Sequence, residues 1–245
     1  MTRFKHSGGK VMPDGTTVTV MARREEQLAP LIDKSAIMLG EARLAVRNTS
    51  LSLIGTQLPQ LVVDSAQRYF SVNLREATSS LDFVTIKRVL KNLATGLSGD
   101  VTIKTGELIG VDDEDVYGRV NTQSVTDASL RGDPVAKNLV DNPHLLPQYQ
   151  HEKVHHNFTT ELGTGALLLT RAIKIDSARL QGPLHLAVKT FLHEASHKYA
   201  GTVDHGLFLE GNPLKPPLPK VQALANADSY AWFIVVAGYR QQLTR

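Results

Sequence analysis

The sequence predicts an α+β fold, because two kinds of hydrophobic pattern occupy different parts of the chain. Apolar residues recur at helical spacing over residues 25–97 and again over 220–242. Between these regions, short segments alternate apolar and polar residues, as half-buried strands do. A chain of 245 residues with 42% hydrophobic residues is long enough to bury one sizeable core.

The N-terminal segment, residues 1–22, is expected to be a flexible arm that carries a hairpin. A Pro-Asp-Gly turn signal at residues 13–15 precedes a β-prone stretch. The remainder, residues 23–245, is expected to form a single domain. Its first part, residues 23–98, is predicted to be helical, and its second part, residues 99–245, is predicted to hold a small sheet and the functional site.

Helical spacing and strand alternation also give approximate element boundaries. Helices are predicted over residues 25–46, 58–72, 81–97 and 220–242, and the first three are expected to pack together. Strands are predicted over residues 101–104, 116–120 and 166–175, and a long irregular loop is predicted over 124–158.

The segment with the most chemistry is residues 190–198, where His193, Glu194 and His197 form an HExxH motif after an apolar run. On a helix, His193 and His197 lie one turn apart on the same face, so their ring nitrogens can bind one tetrahedral metal ion. Glu194 lies beside them, where its carboxylate can act as a general base toward a water molecule at the metal. This arrangement favours a zinc-dependent peptidase.

A second HExxH occurs at residues 151–155, and we interpret it as part of a polar loop. It contains the charged Lys153 and lacks an apolar helical segment before it. For His193 and His197, the alternative interpretation is a pair of hydrogen-bonded core histidines. A third ligand is needed to decide between that alternative and a metal site.

Composition narrows the classes of ligand and partner. The chain has no cysteine, so a metal must be held by His, Asp or Glu, and disulfides are excluded. Lysines and arginines are scattered among acidic residues despite a net charge of +3, so no nucleic-acid partner is expected. No apolar run is long enough to cross a bilayer, and no classical secretory signal is expected, so we predict no membrane association.

Two further motifs follow the first in a specific order. Residues 201–204 read Gly-Thr-Val-Asp, and residues 226–233 fit the pattern NADxYxxF. Together with HExxH, these motifs resemble the aspzincin family of zinc metalloendopeptidases, which includes deuterolysins and peptidyl-lysine metalloendopeptidases. The resemblance is close over residues 190–233, whereas upstream only the order of elements and Arg-Tyr-Phe at residues 68–70 are similar. It implies a zincin-like metalloprotease fold with N-terminal helices, a small sheet, a metal-binding HExxH helix and a C-terminal helix.

The resemblance also implies roles for individual residues. His193, His197 and Asp204 correspond to the ligands of one Zn2+, and Glu194 corresponds to the catalytic base. His205, the neighbour of Asp204, is a second candidate for the third ligand.

One departure from the family pattern concerns the oxyanion. The family has a tyrosine three residues after the ligand aspartate, and this chain has Leu207 there. Loss of such a donor can cost roughly 3 kcal/mol of transition-state stabilisation. His205, Tyr230 and Tyr239 are candidates to replace it.

A second departure concerns substrate specificity. In the lysine-specific branch, two acidic residues one helical turn apart bind a lysine of the substrate. The matching positions here are Asp228 and Ala231, so we predict substrate-binding residues with at most a mild preference for basic side chains. The alternative role for Asp228 is to orient a ligand histidine.

The missing cysteines and signal peptide make the chain similar to bacterial aspzincin-like domains of toxins and effectors. That similarity implies a protein or peptide substrate and export by a specialised secretion system, with a cytoplasmic location otherwise. A secretion-system carrier or an immunity protein is then a candidate partner. Two alternatives are a zinc-binding but catalytically silent interaction domain, favoured by Leu207, and a structural protein in which the histidines are packed.

Overall fold

A five-stranded mixed sheet and the helices packed against it organise the fold, which is α+β as predicted. This computed structural model describes residues 6–54, 57–106, 118–119, 122–124, 154–156, 166–169, 172–212 and 217–239. The strands are β1 (His6–Val11), β2 (Thr17–Ala22), β3 (Val101–Gly106), β4 (Gly118–Arg119), β5 (Thr122–Ser124), β6 (Val154–His156), β7 (Ala166–Leu169) and β8 (Ala172–Asp176). The helices are α1 (Leu28–Ser52), α2 (Gln60–Phe70), α3 (Ser80–Ser98), α4 (Ser177–Gln181), α5 (Leu184–Ala200), α6 (Lys220–Ala225) and α7 (Ala227–Tyr239).

The large sheet has the strand order β1-β2-β3-β8-β4. Strands β2, β3 and β8 run parallel, and β1 and β4 are antiparallel to their neighbours β2 and β8. A second sheet of three antiparallel strands has the order β5-β7-β6. Strand β4 therefore lies at the edge of the large sheet, and α5 packs against both β8 and β4.

One face of the large sheet is buried because its apolar residues recur with a period of two. Val20 pairs with Ile103, and Ile103 pairs with Ile173, so three fully buried side chains form a row across the parallel strands. Helix α1 packs against β1 and β2, and also contacts α3, α5 and α7. This packing ties the N-terminal residues to the elements that carry the motifs.

The hairpin predicted near the N-terminus is present, but residues 6–22 are not a separate arm. Strand β2 lies inside the sheet between β1 and β3, and Val18 and Val20 are fully buried. The prediction of a flexible arm is therefore wrong for these residues, and residues 1–5 lie outside the described part. The boundary predicted near residue 98 falls between α3 and β3, and the described elements within 23–98 are helical.

The packing of α2 differs from the prediction. Helices α1 and α3 contact each other as expected, whereas α2 packs against α6 and α7. Phe70 at the end of α2 lies with its ring centroid 4.8 Å from that of Tyr230 and 5.1 Å from that of Phe233. This aromatic contact between segments far apart in sequence replaces the expected three-helix group.

Three predicted elements are divided differently in the structure. The single strand expected over residues 166–175 is two strands, β7 and β8, which belong to different sheets. The final helix is two helices, α6 and α7, interrupted at Asn226, where the backbone is extended with φ −84° and ψ 124°. Most of the loop predicted over 124–158 lies outside the described residues, but 154–156 form β6.

None of the described helices is both long and apolar enough to cross a membrane.

Candidate metal centre

Helix α5 carries the first motif and is fixed in place by its apolar residues. Ala187, Val188, Phe191, Leu192 and Ala195 are all fully buried. The helix ends at Gly201, whose φ of 68° lies in the left-handed region that glycine adopts without strain. The chain reverses there and returns toward the last turn of α5.

The structure brings His193, His197 and Asp204 together at this reversal. The Nε2 atoms of the two histidines are 3.1 Å apart, and Asp204 Oδ1 lies 3.1 Å from that of His193 and 3.2 Å from that of His197. Within the described part of the chain, this is the one group of three or more His, Cys, Asp or Glu side chains with ligand atoms near enough to share an ion.

The spacing and chemistry of these atoms fit a metal ion. Ligand atoms about 2.0–2.1 Å from a tetrahedral Zn2+ lie roughly 3.3 Å from one another, close to the observed separations. Two imidazoles and one carboxylate form a donor set that suits a transition metal better than Mg2+ or Ca2+. The side chains of His193 and His197 are 10% and 12% exposed and that of Asp204 is 59% exposed, so the group opens to solvent on the aspartate side.

Hydrogen bonds at the far side of each ring leave both Nε2 atoms free to bind a metal. His193 Nδ1 is 3.0 Å from Asp228 Oδ1, and His197 Nδ1 is 2.7 Å from the carbonyl oxygen of Thr202. A carboxylate and a carbonyl can only accept, so each Nδ1 carries the proton. Such bonds fix the tautomer and the ring orientation that metal binding requires.

The charges around His193 oppose the effect of its burial. Burial alone would lower its pKa, but the Asp204 and Asp228 carboxylates outweigh that effect and raise the pKa to about 9. Burial raises the pKa of Asp204, but its contacts with His193 and His197 outweigh burial and lower this pKa overall. Without a metal, a proton on His193 Nε2 that faces Asp204 thus supplies the positive charge that a metal ion would otherwise bring.

Glu194 lies beside the ligand group without joining it. Its residue is 4% exposed, and its Oε1 is 3.9 Å from His193 Nε2. Burial raises the pKa of this carboxyl group. A Cβ atom placed on Gly118 would lie 2.9 Å from Glu194 Oε1 and 2.8 Å from Thr190 Cγ2, so only a glycine lets edge strand β4 approach Glu194 this closely.

Asp228 contacts His193 and fits the alternative role of orienting that ring, whereas its full burial contradicts the prediction that it binds substrate. It is fully buried and forms an ion pair with Lys189, while its Oδ2 accepts a hydrogen bond of 2.6 Å from the Phe208 backbone N–H. Burial raises the pKa of Asp228, but His193 and Lys189 outweigh burial and lower this pKa overall. Ala231 is also fully buried, so neither predicted substrate-binding residue is open to a ligand.

Among the three candidate oxyanion donors, Tyr230 is bonded within the core. Tyr230 is fully buried and its hydroxyl donates to the carbonyl oxygen of Leu224 at 2.8 Å, so this prediction is wrong. His205 is exposed, and its backbone N–H is bonded to Asn226. The Tyr239 side chain lies outside the described part, and Leu207 is 47% exposed.

The loop that carries Asp204 is held by residues that sequence reasoning did not assign. Val203 forms a parallel bridge with Asn226, with backbone bonds of 2.9 Å to Ala225 O and from Ala227 N. Further along the loop, the Trp232 indole donates to Phe208 O at 2.9 Å. The NAD segment was the signal for these contacts, because its Asn and Asp both turn out to bond this loop.

Three more residues support the site, and sequence reasoning gave them no role there. The hydroxyl groups of Ser196 and Thr202 are 2.7 Å apart and buried, which links the end of α5 to the start of the loop. Tyr69, in the Arg-Tyr-Phe segment noted upstream, donates to Gly211 O at 3.2 Å and contacts Phe208 edge to face. The second HExxH cannot be compared, because residues 151–153 and the side chains of 154–156 lie outside the described part.

Comparison with known proteins adds no relative: no protein-family model and no curated protein matches this sequence. The likeness to aspzincins therefore rests on the motifs alone.

Proposed function

We propose that the chain is a zinc-dependent endopeptidase with a zincin-like fold, of the kind that the aspzincin motifs imply. The observation that carries this proposal is the position of Glu194. Its buried carboxylate lies next to the three converging ligand atoms of His193, His197 and Asp204 but does not belong to that group. A structural metal site has no need of an unliganded buried acid. Three protein ligands also leave a fourth position, as hydrolytic zinc sites require.

The residues divide the catalytic work in this proposal. His193, His197 and Asp204 would hold the metal. A bound Zn2+ would supply Lewis-acid polarisation of a carbonyl group and acidification of water. Glu194 takes the proton from the attacking water and delivers it to the leaving amine, and its raised pKa brings it closer to neutral pH, where a base transfers protons best.

The position of β4 supports a peptide as the substrate. This strand ends the large sheet, is bonded to β8 on one side and lies against Glu194. Among the described strands none pairs with the other side of β4, and an extended peptide can pair with such an edge through backbone hydrogen bonds. A scissile bond would then lie beside the base.

One observation favours a second candidate, a zinc-binding domain without catalysis. Leu207 stands where the family has its oxyanion donor, and Tyr230 is occupied in the core. Delivery as an exported effector stays a prediction from the family resemblance and the lack of cysteine.

The test compares wild type with Glu194→Ala after purification with Zn2+. Because Glu194 is not a ligand, both proteins are expected to hold one zinc per chain, whereas cleavage of a mixed peptide library is expected to fall about 10²–10⁴-fold in the variant. Glu26→Ala, which removes an exposed glutamate, serves as the matched control and should match wild type.

Three other outcomes would contradict the proposal. Equal cleavage by wild type and Glu194→Ala would indicate a contaminating protease or another base. One bound zinc with no cleavage by wild type would select the silent domain. Zinc retention far below one per chain would remove both metal-based functions.

A further inference from the structure

The side chain of Asn226 forms four hydrogen bonds, and three of them go to the turn that carries Asp204. Its Oδ1 accepts from the backbone N–H groups of His205 at 2.9 Å and Gly206 at 3.2 Å. Its Nδ2 donates to Gly206 O at 3.0 Å and to Ser229 Oγ at 3.1 Å. Asn226 is fully buried.

This pattern is unusual for the residue that precedes a helix. An asparagine there commonly accepts hydrogen bonds from N–H groups of its own helix. An amide oxygen has two lone pairs, and here both are used by the turn, 20 and 21 residues away in sequence. The side chain therefore serves the turn instead of capping α7.

The bonds enclose Asp204 from both sides. Before it, Val203 is fixed by the backbone bridge to Ala225 and Ala227. After it, the next two N–H groups are fixed by Asn226. The Asp204 side chain itself is 59% exposed, so the position of its carboxylate depends on how firmly this short stretch of backbone is held.

We propose that Asn226 is a positioning residue that sets the Asp204 carboxylate in register with His193 and His197 and thereby determines the affinity of the site for its metal. The inference rests on the proposed metal site. It adds a role for a residue that touches neither metal nor substrate. Removal of comparable outer contacts in metal sites weakens metal binding about 10–100-fold.

The test measures Zn2+ affinity by competition with a chromophoric chelator. Asn226→Ala, which removes all four side-chain bonds, is expected to weaken binding about 10–100-fold. Asn226→Asp keeps an oxygen acceptor for both N–H groups but loses the donor to Gly206 O, so its loss of affinity is expected to be smaller than that of Asn226→Ala. Tyr230→Phe removes a buried hydrogen bond of the same helix that does not reach the turn, and should leave zinc affinity unchanged.

A double-mutant cycle separates positioning from a general loss of stability. If Asn226 acts through Asp204, Asn226→Ala should change zinc affinity less than threefold in an Asp204→Ala background. An equal loss in both backgrounds would overturn the inference, as would equal affinities of wild type and Asn226→Ala.

Hydrogen exchange of the wild type tests the inference even if Asn226→Ala does not fold. The N–H groups of His205 and Gly206 should be protected already in the zinc-free protein, because Asn226 holds the turn before metal binds. Unprotected N–H groups without zinc would overturn the inference and leave the proposed function intact. A wild type that binds no zinc would instead overturn both.

Discussion

Zinc binding is expected to weaken as the pH falls below about 9, because a proton and the metal compete for Nε2 of His193. In the zinc-free protein, Asp204 contacts this atom and Asp228 contacts Nδ1. These carboxylates overcome burial and raise the pKa of His193 to about 9. A histidine must be neutral at Nε2 to bind a metal, so one proton leaves His193 for each zinc bound.

The size of the effect follows from that pKa. The apparent association constant should fall about tenfold for each pH unit below 9, and thus about a hundredfold between roughly pH 8 and 6. Two units correspond to about 2.7 kcal/mol of binding free energy. Near neutral pH, about one proton per zinc should come from His193.

Two measurements check this expectation. Chelator competition gives the apparent dissociation constant at each pH, and titration calorimetry in buffers of different ionisation enthalpy gives the number of protons released. Asp228→Asn is the control, since loss of this carboxylate removes one of the groups that raise the pKa of His193 and should shift the pH dependence downward. An apparent constant that does not change between about pH 8 and 6 would refute the argument.

The same proton affects the stability of the zinc-free protein. The folded-state pKa of His193, about 9, lies above its ordinary value of 6.5. The resulting stabilisation is fully present below about pH 6.5 and is lost as the pH rises through 9. With chelator present, the melting temperature should therefore fall from about pH 6.5 to 9, whereas zinc should stabilise the protein more as the pH rises.

Two further predictions concern packing and a buried charge. In Gly96→Ala, the new Cβ would lie 2.1 Å from the Tyr199 ring, so the free energy of unfolding should fall by about 1–3 kcal/mol. In Gly40→Ala, the nearest atom is 3.8 Å away, so helix propensity should raise the free energy of unfolding by up to about 1 kcal/mol. Equal urea midpoints for the two variants would contradict this expectation. Lys189→Met removes the lysine partner of the fully buried Asp228, so the free energy of unfolding should fall by about 3 kcal/mol. This value lies near the lower end for broken buried pairs, because Asp228 keeps its contacts with His193 and with the Phe208 N–H. Adding Asp228→Asn should cost less than its effect in wild type, and additive losses in urea unfolding would show that the pair is not coupled.

Sequence predicted the grouping of His193, His197 and Asp204, the two histidines from helical spacing and Asp204 from the family motif. One turn of helix places His193 and His197 on one face, and a glycine-led reversal returns Asp204 to them within a few residues. The role of Asp228 was not predictable in this way. Its spacing places it near the start of a helix, but its direction depends on Lys189 and the Phe208 N–H, which come from other elements.

The local pattern of residues also could not predict the order of the strands in the sheet. Alternation identifies β2 as a strand with one buried face, and this is what the structure has. The pattern does not specify that β2 pairs in parallel with β3, about 80 residues later, because pairing partners are chosen by packing of the whole sheet. The local pattern therefore predicts a peripheral arm, whereas the structure has β1 at one edge of the sheet and β2 inside it.

The crossing of α1 and α7 makes the geometry of the candidate metal centre depend on a distant contact. A Cβ atom on Gly238 would lie 2.4 Å from the carbonyl oxygen of Ala45 and 2.8 Å from Thr49 Oγ1, so the two helix backbones nearly touch. Gly238 lies ten residues beyond Asp228 on the same helix, a distance of about 15 Å. A helix moves as a stiff rod over such a length, and a larger residue at Gly238 would tilt or slide it at both ends. The absence of a side chain at Gly238 therefore helps to set the positions of the Asp204 turn and of the His193 ring.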